Sequence, residues 1–578
     1  MYLLGLGAGP FLDPPEGFHA AIAQSMRESG DWTTLRLDGV RYFDKPPMLY
    51  WLMAASFSVA GPTEAAARLW PALAAIGIAA VTAWIGTMLS GPRVGLLAGL
   101  LVATNMGIFV FGREVKPDLP LIFFILLAFA GFVVTYRGRG GWGLALMYVS
   151  LGLAALTKDF FGAVAPLAVI AAFLWITRER PYSVWAPWWG IGLLVAIALP
   201  WYVAAELRSP GFLWYTIVDN HVLNFARQRV FPDEDVPLGS LQFLAVTAGA
   251  FLPWSLAAPW AVARALRPPW PNAEGRLWGL LALWAVLVIG FFTLSPFKLP
   301  HYGFPALPAL ALLVARAWDE CIEALPGALA PRVLLAPITV LFALAAVGLV
   351  LGALGRIPLP AGALESVDVP ARNLAARGLA AAASPLALYE PIMLKGGLVF
   401  GVATLAMAVA TLRRWPAAGI GVALAAMIAF LPMAGEGMVH FARARSARPI
   451  TEALVRRLGP TDVIVHEGPI EDSGSLLLTV RRPLHVVHGL QSNLAFGATF
   501  PEARDVFWGP ERLGQAWAAP DRCFLVSTIE PSRSVVRTLQ PAHLLAEGGG
   551  RWLYGNQVGG PEMAPHTPPA LGSVPAKP

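Results

Sequence analysis

The sequence predicts a polytopic, all-α membrane protein that carries a small α/β domain after its last membrane span. Hydrophobic residues make up 56% of the 578 residues and charged residues only 13%, and the mean hydropathy is +0.60. Apolar runs of roughly 17 to 25 residues, long enough to cross a bilayer as helices, recur along the chain. After residue 438 the sequence becomes more polar and rich in short β-branched runs. This composition excludes an ordinary soluble domain.

About twelve segments are long enough to be full spans. They lie near residues 66–90, 94–112, 118–136, 142–157, 162–177, 185–206, 241–264, 277–295, 301–317, 332–355, 395–412 and 417–438. Residues 1–12 resemble the end of one more span, which is too short to cross alone. The sequence therefore indicates either an internal start or a longer first helix that this version lacks.

Arginines give the orientation, because short loops rich in Lys and Arg stay in the cytoplasm. They concentrate in alternate loops, for example at Arg137, Arg139, Arg413 and Arg414. The other loops are predicted to face outward, at residues 13–65, 113–117, 158–161, 207–240, 296–300 and 356–394, as is everything after about 439. Cys321 and Cys523 then lie on opposite sides of the membrane, which excludes a disulfide between them.

The chain is thus divided into a membrane domain at 1–438, an outer α/β domain at 439–560 and a Pro-rich tail at 561–578 that is predicted to be disordered. Within the α/β domain, a helix is expected from Ile450 to Leu458. Strands are expected at 462–466, 476–480, 485–488 and 523–527, where short β-branched runs occur.

The first outer loop, residues 13–65, predicts two interfacial helices. Glu16 to Glu28 is amphipathic. The paired prolines 46 and 47 suit the start of a second helix, where a missing amide hydrogen costs nothing. Asp44 and Lys45 would then lie at the N-terminal end of that helix, which favours an anion.

Asp118 is the strongest candidate for a catalytic acid or base, because an ionisable residue at the mouth of an apolar run is costly without a task or a partner. The alternative is a simple ion pair with Arg113 or Lys116. Several other side chains at outer loops and helix ends can donate hydrogen bonds to one phosphate, namely Lys45, Lys158, Arg227, Lys298 and Tyr302. The alternative for each lysine or arginine is that it only reaches the lipid headgroups.

The segment from Gly30-Asp-Trp-Thr33 through Asp38-Gly-Val-Arg-Tyr-Phe-Asp-Lys-Pro-Pro-Met-Leu-Tyr-Trp51 resembles the first-loop signature of the aminoarabinose transferase family. That family belongs to the GT-C class of membrane glycosyltransferases and is related to the protein O-mannosyltransferases. Three further matches occur in the family's order, at 113–120, 156–158 and 295–302.

The resemblance implies a GT-C fold with about twelve to thirteen transmembrane helices in a bacterial inner membrane, with the catalytic face in the periplasm. It implies transfer of 4-amino-4-deoxy-L-arabinose, with inversion, from undecaprenyl phosphate to a phosphate of lipid A, which gives resistance to polymyxin and other cationic peptides. It also implies that Asp118 is catalytic. The donor phosphate would be bound by Tyr42, Lys45, Lys158, Arg227, Lys298 and Tyr302.

One departure from the family lies in the first loop, where Pro15 occupies the position of a catalytic aspartate. Asp13 and Glu16 are near enough in sequence to substitute, although the rigid Pro14-Pro15 step would aim them differently. A phosphate acceptor is already anionic and needs no strong base, whereas a hydroxyl acceptor needs one. The alternatives are a transferase for another glycolipid or protein acceptor, and a non-catalytic paralogue or lipid carrier.

A zinc site is suggested weakly by Asp44 and His221, since two protein ligands leave the coordination sphere incomplete; no tightly held metal is expected. No phosphate loop or basic stripe indicates a nucleotide or nucleic acid. A transporter or flippase would place polar groups near the bilayer midplane, where this chain has almost none. A binding module on an inert membrane platform is a further alternative. The loop at 207–240, with Arg227 and Arg229, is expected to act as a lid.

Overall fold

The computed structural model describes residues 1–138, 141–223, 238–357, 384–490 and 493–558, together with 368, 371, 372 and 382. Helices dominate up to Arg445, and a five-stranded sheet follows. The predicted fold class is therefore confirmed. The Pro-rich tail, Arg227 and Arg229 lie outside the described residues.

The helices before the sheet are α1 (Gly17–Ser29), α2 (Met48–Ala60), α3 (Glu64–Ser90), α4 (Pro92–Ala103), α5 (Met106–Phe111), α6 (Asp118–Tyr136), α7 (Trp142–Ala155), α8 (Phe161–Thr177), α9 (Trp188–Arg208), α10 (Ser240–Ala250), α11 (Ala258–Leu266), α12 (Ala273–Leu294), α13 (Leu307–Ile322), α14 (Pro331–Ala353), α15 (Glu390–Arg413) and α16 (Pro416–Arg445). Within the described part of the chain, seven are long and apolar enough to cross a membrane: α3, α6, α9, α12, α14, α15 and α16.

The other five predicted spans are helical but shorter or broken. The segment 94–112 is divided at Asn105, whose side chain accepts a hydrogen bond of 2.7 Å from Ile108 N and so begins α5 instead of continuing α4. The segment 241–264 is divided between α10 and α11 around Pro253, which has no amide hydrogen to donate. The segment 301–317 begins as a 3-10 helix. The segments 142–157 and 162–177 are single helices, α7 with 14 residues and α8 with 17. The predicted spans at 94–112, 241–264 and 301–317 are therefore not single continuous α-helices.

Residues 1–12, all of which the structure describes, form turns and contain no helix. Two arginines hold them in place. Arg68 donates to the carbonyl oxygens of Leu6 at 2.7 Å and Gly9 at 2.9 Å, and Arg113 donates to Leu4 O at 2.8 Å. The expectation that this stretch is the end of a helical span was wrong.

The two helices predicted in the first loop are confirmed as α1 and α2, and a short hairpin joins them. Its strands are β1 (Arg36–Leu37) and β2 (Val40–Arg41). The start of α2 is docked on the end of α7, where Met48 N donates to Leu156 O at 3.0 Å. We call the end of the helical domain that carries residues 13–63 the loop face.

The C-terminal domain contains β3 (Val463–Glu467), β4 (His485–Val487), β5 (Cys523–Ser527), β6 (His543–Gly548) and β7 (Arg551–Gly555), in the sheet order β4-β3-β5-β7-β6. The first three strands are parallel and the last two pair antiparallel. Its helices include α17 (Arg448–Val455), α18 (Gly474–Val480) and α19 (Pro510–Ala518). Both Cys321 and Cys523 are free and buried.

Three of the four predicted strands are confirmed. Residues 476–480 instead form the greater part of α18, because a short apolar run satisfies either period and here follows a 3-10 turn at Ile470–Ser473. The hairpin of β6 and β7 was missed. Its signal was Gly549-Gly550 between two short runs, and both glycines have positive φ, at +63° and +73°.

The first loop is clamped between the two domains. Helix α1 packs against α18 so closely that a Cβ on Gly474 would lie 2.2 Å from Phe18 N. Arg551 reinforces the junction from within the sheet, donating to Ser473 Oγ at 3.0 Å and to Arg445 O at 2.7 Å. The loop face is therefore covered by the C-terminal domain over α1.

Candidate active site at the loop face

Asp118 is the first residue of α6 and is only 8% exposed. Its Oδ1 atom accepts a hydrogen bond from Lys158 Nζ at 2.7 Å and lies 3.2 Å from His301 Nε2. The three side chains come from separate segments, since Lys158 follows α7 and His301 lies in the 3-10 helix before α13. A buried carboxylate with two such partners fits a site that handles charge.

The simple ion pair that was the alternative for Asp118 is wrong. Lys116 pairs with Glu114 at 2.7 Å. Arg113 donates to the backbone carbonyl oxygens of Met1, Tyr2, Leu4 and Gly5. Asp118 thus takes its partners from the segment after α7 and the segment before α13.

Lys45 approaches the same site from the first loop. It forms an ion pair with the neighbouring Asp44, and Tyr42 OH donates to Asp44 Oδ2 at 3.3 Å. Burial acts to raise the pKa of Asp44, but the charge and hydrogen bond of Lys45 outweigh it and hold that pKa below its usual value. Asp44 is therefore a carboxylate at neutral pH.

Asp159 links the two lysines electrostatically. Burial acts to raise its pKa, but His221, Lys158 and Lys45 together lower it. His221 Nε2 lies 3.6 Å from Asp159 Oδ2, and this pairing raises the pKa of His221 against the opposing effect of burial. At the loop face, Lys45 and Lys158 therefore both act electrostatically on the Asp159 carboxylate.

The structure gives Asp44 and His221 different partners. Asp44 is held by Lys45 and Tyr42, whereas His221 contacts Asp159 and donates from Nδ1 to Thr216 O at 2.5 Å. Among the residues that the structure describes, no group of three His, Cys, Asp or Glu side chains is arranged to hold a metal. These two residues do not fit a closed zinc site, which needs four ligands.

Two further residues were predicted to bind phosphate. Tyr302 contacts Lys158, and Lys298 contacts α10 and the end of α12. The ring of Tyr302 lies under Lys158, with Nζ 4.8 Å from the ring centroid. Lys298 is 5% exposed and donates to Ser240 Oγ at 3.0 Å and to Thr293 O at 2.8 Å. Lys298 thus ties α10 to the end of α12, while Tyr302 contacts the cluster directly.

Asp13 lies at the junction with the C-terminal domain. Its carboxylate accepts hydrogen bonds from Ala447 N at 3.0 Å, Ser475 N at 3.1 Å and Ser475 Oγ at 2.5 Å. Burial raises its pKa, and Arg551 opposes that effect. Asp13 therefore ties the first loop to the C-terminal domain at two places, Ala447 just before α17 and Ser475 in α18.

Glu16 is 1% exposed and forms a two-pronged ion pair with Arg68. Arg68 Nε donates to Oε1 at 2.8 Å and Nη2 donates to Oε2 at 2.5 Å. Two backbone groups complete the carboxylate's shell, Leu12 N at 2.8 Å and Val115 N at 3.0 Å. Every lone pair that the side chain offers within the plane of its carboxylate has a donor.

Four residues at the loop face were not predicted from the sequence. They are His19, Tyr50, Asp159 and His301. His301 lies inside the motif 295–302, and Asp159 directly follows Lys158, so both were adjacent to chosen residues. His19 had a weaker signal, a polar residue on the otherwise apolar stripe of α1, and its Nδ1 atom lies 2.8 Å from Tyr50 OH.

Comparisons with known proteins agree with this geometry. Residues 15–216 match the family described as dolichyl-phosphate-mannose-protein mannosyltransferase. An undecaprenyl phosphate-alpha-4-amino-4-deoxy-L-arabinose arabinosyl transferase 1 from Pseudomonas fluorescens is 30% identical over 334 residues, 56% of this chain and 58% of the relative. That alignment thus spans little more than half of the relative's length. A second transferase of that name from the same species is 25% identical over 96% of this chain and 90% of the relative.

Solved structures show the same fold. Apo ArnT from Cupriavidus metallidurans superposes with a TM-score of 0.76 at 23% identity, covering 96% of each chain. The form of that protein bound to undecaprenyl phosphate gives a TM-score of 0.75 at 23% identity, covering 98% of this chain and 97% of the other. The predicted resemblance is confirmed: this chain has the fold of the ArnT structures and is similar in sequence to the named arabinosyl transferases and, over residues 15–216, to the mannosyltransferase family.

Proposed function

We propose that this protein is an inverting glycosyltransferase that moves a sugar from undecaprenyl phosphate to a lipid A phosphate, with 4-amino-4-deoxy-L-arabinose as the sugar. The observation that carries the proposal is the pair of lysines at the loop face, Lys45 and Lys158, each held by a carboxylate and both acting on Asp159. The names of its relatives support the choice of donor.

The lysines suit a departing lipid phosphate. Lys45 and Lys158 are paired with Asp44 and Asp118 and are only 23% and 15% exposed at their side chains. An ammonium group has three N–H donors, so each lysine can donate to a phosphate oxygen while it keeps its carboxylate partner. The same ammonium groups then neutralise the charge that develops on the phosphate as the bond to the sugar breaks.

Asp118 is the carboxylate that this proposal places nearest the reacting sugar. Displacement at an anomeric carbon builds positive charge on the ring, and a fixed carboxylate stabilises that charge. Lys158 and His301 hold Asp118 in one orientation. Asp13 and Glu16 are proposed to hold the loop in place, because their oxygens are occupied by backbone and arginine donors.

The orientation with the loop face in the periplasm is part of the proposal. Its support is the distribution of arginines at the opposite helix ends. Arg93, at the start of α4, pairs with Glu323 just after α13, and Arg264 in α11 pairs with Glu320 at 3.0 Å. Arginines gathered at one end of a helical domain are typical of the cytoplasmic side, which supports a protein of the inner membrane with its loop face in the periplasm.

The test is transfer of radiolabelled sugar from purified undecaprenyl phosphate-linked donor to lipid A in proteoliposomes. Lys158→Met and Lys45→Ala are expected to lower kcat/KM by about 10²-fold or more, since each removes a charged group from the leaving phosphate. Lys395→Ala is the matched control, because Lys395 is exposed at the start of α15. Transfer that is unchanged in both lysine variants would contradict the assignment of the phosphate site.

The same assay distinguishes the second candidate, a non-catalytic lipid carrier, which the proline at position 15 favours. A carrier would bind the donor lipid with its affinity intact but give no labelled lipid A with the native chain. Replacing lipid A by glycolipid or protein acceptors in parallel reactions identifies the acceptor class.

A further inference from the structure

An apolar cavity lies between α11, α13 and α14, at the end of the helical domain opposite the loop face, which we call the arginine end. Its volume is about 150 Å³. The rings of Trp254, Trp260 and Trp318 line it, together with aliphatic side chains that include Leu329 and Val333. An apolar cavity of this size stays free of water and takes up small apolar groups.

The cavity opens on the surface that the helices present to the bilayer. Two of its lining side chains, Leu256 and Val333, are 43% and 56% exposed. Helix α14, which carries Val333, is long and apolar enough to cross a membrane. Within the hydrocarbon core there is no water to enter such an opening. A lipid chain that fills it restores the dispersion contacts that an apolar void forfeits.

The depth of the cavity matches one leaflet of the membrane. Its lining on one side runs from Pro253 to Trp260, and Arg264 follows one turn later in α11. At about 1.5 Å per residue, the segment from Pro253 to Arg264 spans roughly 16 Å. That length is half of a hydrocarbon core of about 30 Å. The cavity therefore suits a chain whose polar end lies at the level of Arg264.

Arg264 forms the polar rim of the cavity. Its guanidinium carbon lies 5.4 Å from the centre of the Trp260 ring, which lines the cavity. Arg264 Nη1 donates to Gly327 O at 2.9 Å, and Nε lies 3.0 Å from Glu320 Oε2. A guanidinium has five N–H donors in a planar fork, so Nη2 can bind a phosphate oxygen while both contacts are kept.

Further arginines add positive charge around this rim. Arg267 lies directly after α11 and Arg332 is the second residue of α14, and both are exposed. Glu320, the acidic partner of Arg264, is also paired with Arg316 at 2.9 Å, so one carboxylate faces two guanidinium groups. Basic pockets between membrane helices on the cytoplasmic side bind the head groups of anionic lipids. The charge of the rim therefore complements a phospholipid that carries a net negative charge.

We infer that the cavity and its rim bind one anionic phospholipid of the leaflet at the arginine end. One acyl chain fills the space between the three tryptophans, and the phosphate lies at Arg264, with Arg267 and Arg332 nearby. The bound lipid joins α11, α13 and α14 on the side of the membrane away from the loop face. This inference concerns a second site and does not depend on the proposed transfer of sugar.

The experiment uses the full-length protein, delipidated in detergent, and two probes with the same acyl chains, anionic phosphatidylglycerol and zwitterionic phosphatidylcholine. Native mass spectrometry counts the bound lipids, and thermal unfolding midpoints report their affinities. We expect one phosphatidylglycerol to bind, with phosphatidylcholine bound about tenfold more weakly or less. Arg264→Gln and Arg332→Gln should each weaken phosphatidylglycerol binding about fivefold. Arg413→Gln is the matched control, because Arg413 is exposed and ends α15 close to where Thr411 contacts Thr339 of α14.

A larger side chain at the opening tests the cavity itself. Val333→Trp should lower the affinity for phosphatidylglycerol about tenfold or more, because the added ring competes with the acyl chain for space. Val340→Trp is the control, since Val340 is 57% exposed on the same helix and lies outside the cavity lining. Equal binding of the two lipids to the native chain, which needs no variant, would overturn the inference. Unchanged binding in a folded Val333→Trp chain would also overturn it, as would displacement of phosphatidylglycerol by an equal concentration of undecaprenyl phosphate.

Discussion

Removing the carboxylate of Glu16 should destabilise the protein without removing a catalytic group. The change Glu16→Gln leaves Arg68 as a buried charge, in a helix that is predicted to span the membrane, with only carbonyl partners. It also replaces one carboxylate oxygen by an amide nitrogen, which cannot accept, so either Leu12 N or Val115 N loses its acceptor. Breaking a buried ion pair on one side costs about 3–5 kcal/mol of unfolding free energy.

The double variant Glu16→Gln with Arg68→Met decides between a structural and a catalytic carboxylate. It removes both charges and keeps side chains of similar length, a replacement that is often neutral for stability. We expect the single variant to lower the midpoint of thermal unfolding in detergent micelles and the double variant to recover most of that loss. Transfer activity should follow stability and return in the double variant.

A different pattern would refute this reasoning. If Glu16→Gln unfolds like the native chain but transfers no sugar, or if the double variant is stable and inactive, then Glu16 acts on the substrate. Arg68→Met alone serves as the companion control, because it leaves the Glu16 carboxylate buried with two backbone donors and is expected to be destabilised to a similar extent.

Two further predictions concern the contacts between the first loop and the C-terminal domain. Burial raises the pKa of Asp38 to about 7 against the opposing hydrogen bond from Leu484 N. Because this folded-state pKa is above the unfolded value of about 3.9, the folded protein holds the proton more tightly, and stability should fall as pH rises from about 4 to 7 and then level off. Thermal unfolding midpoints at pH 5 and pH 8 should therefore differ more in the native chain than in Asp38→Asn, and equal differences would contradict the argument. Gly474→Ala should loosen the junction, because the added Cβ would meet backbone atoms of Phe18; faster proteolysis of the C-terminal domain is expected, whereas Gly514→Ala, with open space around it, should match the native chain.

Much of the architecture could be predicted from the sequence because its signals are local. The amphipathic run at 16–28 and the paired prolines at 46 and 47 are sufficient to predict α1 and α2. Asp118 and Lys158 were recognised because ionisable residues at the ends of apolar runs are costly. The interrupted spans were not predicted, since Asn105 breaks a helix through a single side-chain hydrogen bond that no hydropathy average registers.

The partners of the site residues could not be predicted, because they depend on tertiary packing. Asp118 contacts His301 only when α6 and the segment before α13 come together. His19 appears in the sequence as one polar residue among alanines, and its hydrogen-bond partner, Tyr50, is 31 residues away on a second helix. Glu16 was taken for a candidate acid because its partner, Arg68, lies within the first long apolar helix.

The clamp around α1 also sets the order in which this protein can become functional during its synthesis. Asp13 and Ser475, which contact each other in the finished structure, are 462 residues apart in the chain. The first loop is synthesised early. Its contacts with the C-terminal domain can form only after the last long helix has been inserted and that domain has folded. Since the residues around His19 are packed beneath that domain, the ribosome must finish nearly the whole chain before the site is complete. A nascent or truncated chain therefore contains Lys45 and Lys158 without the geometry that would let them act on lipid-linked sugars.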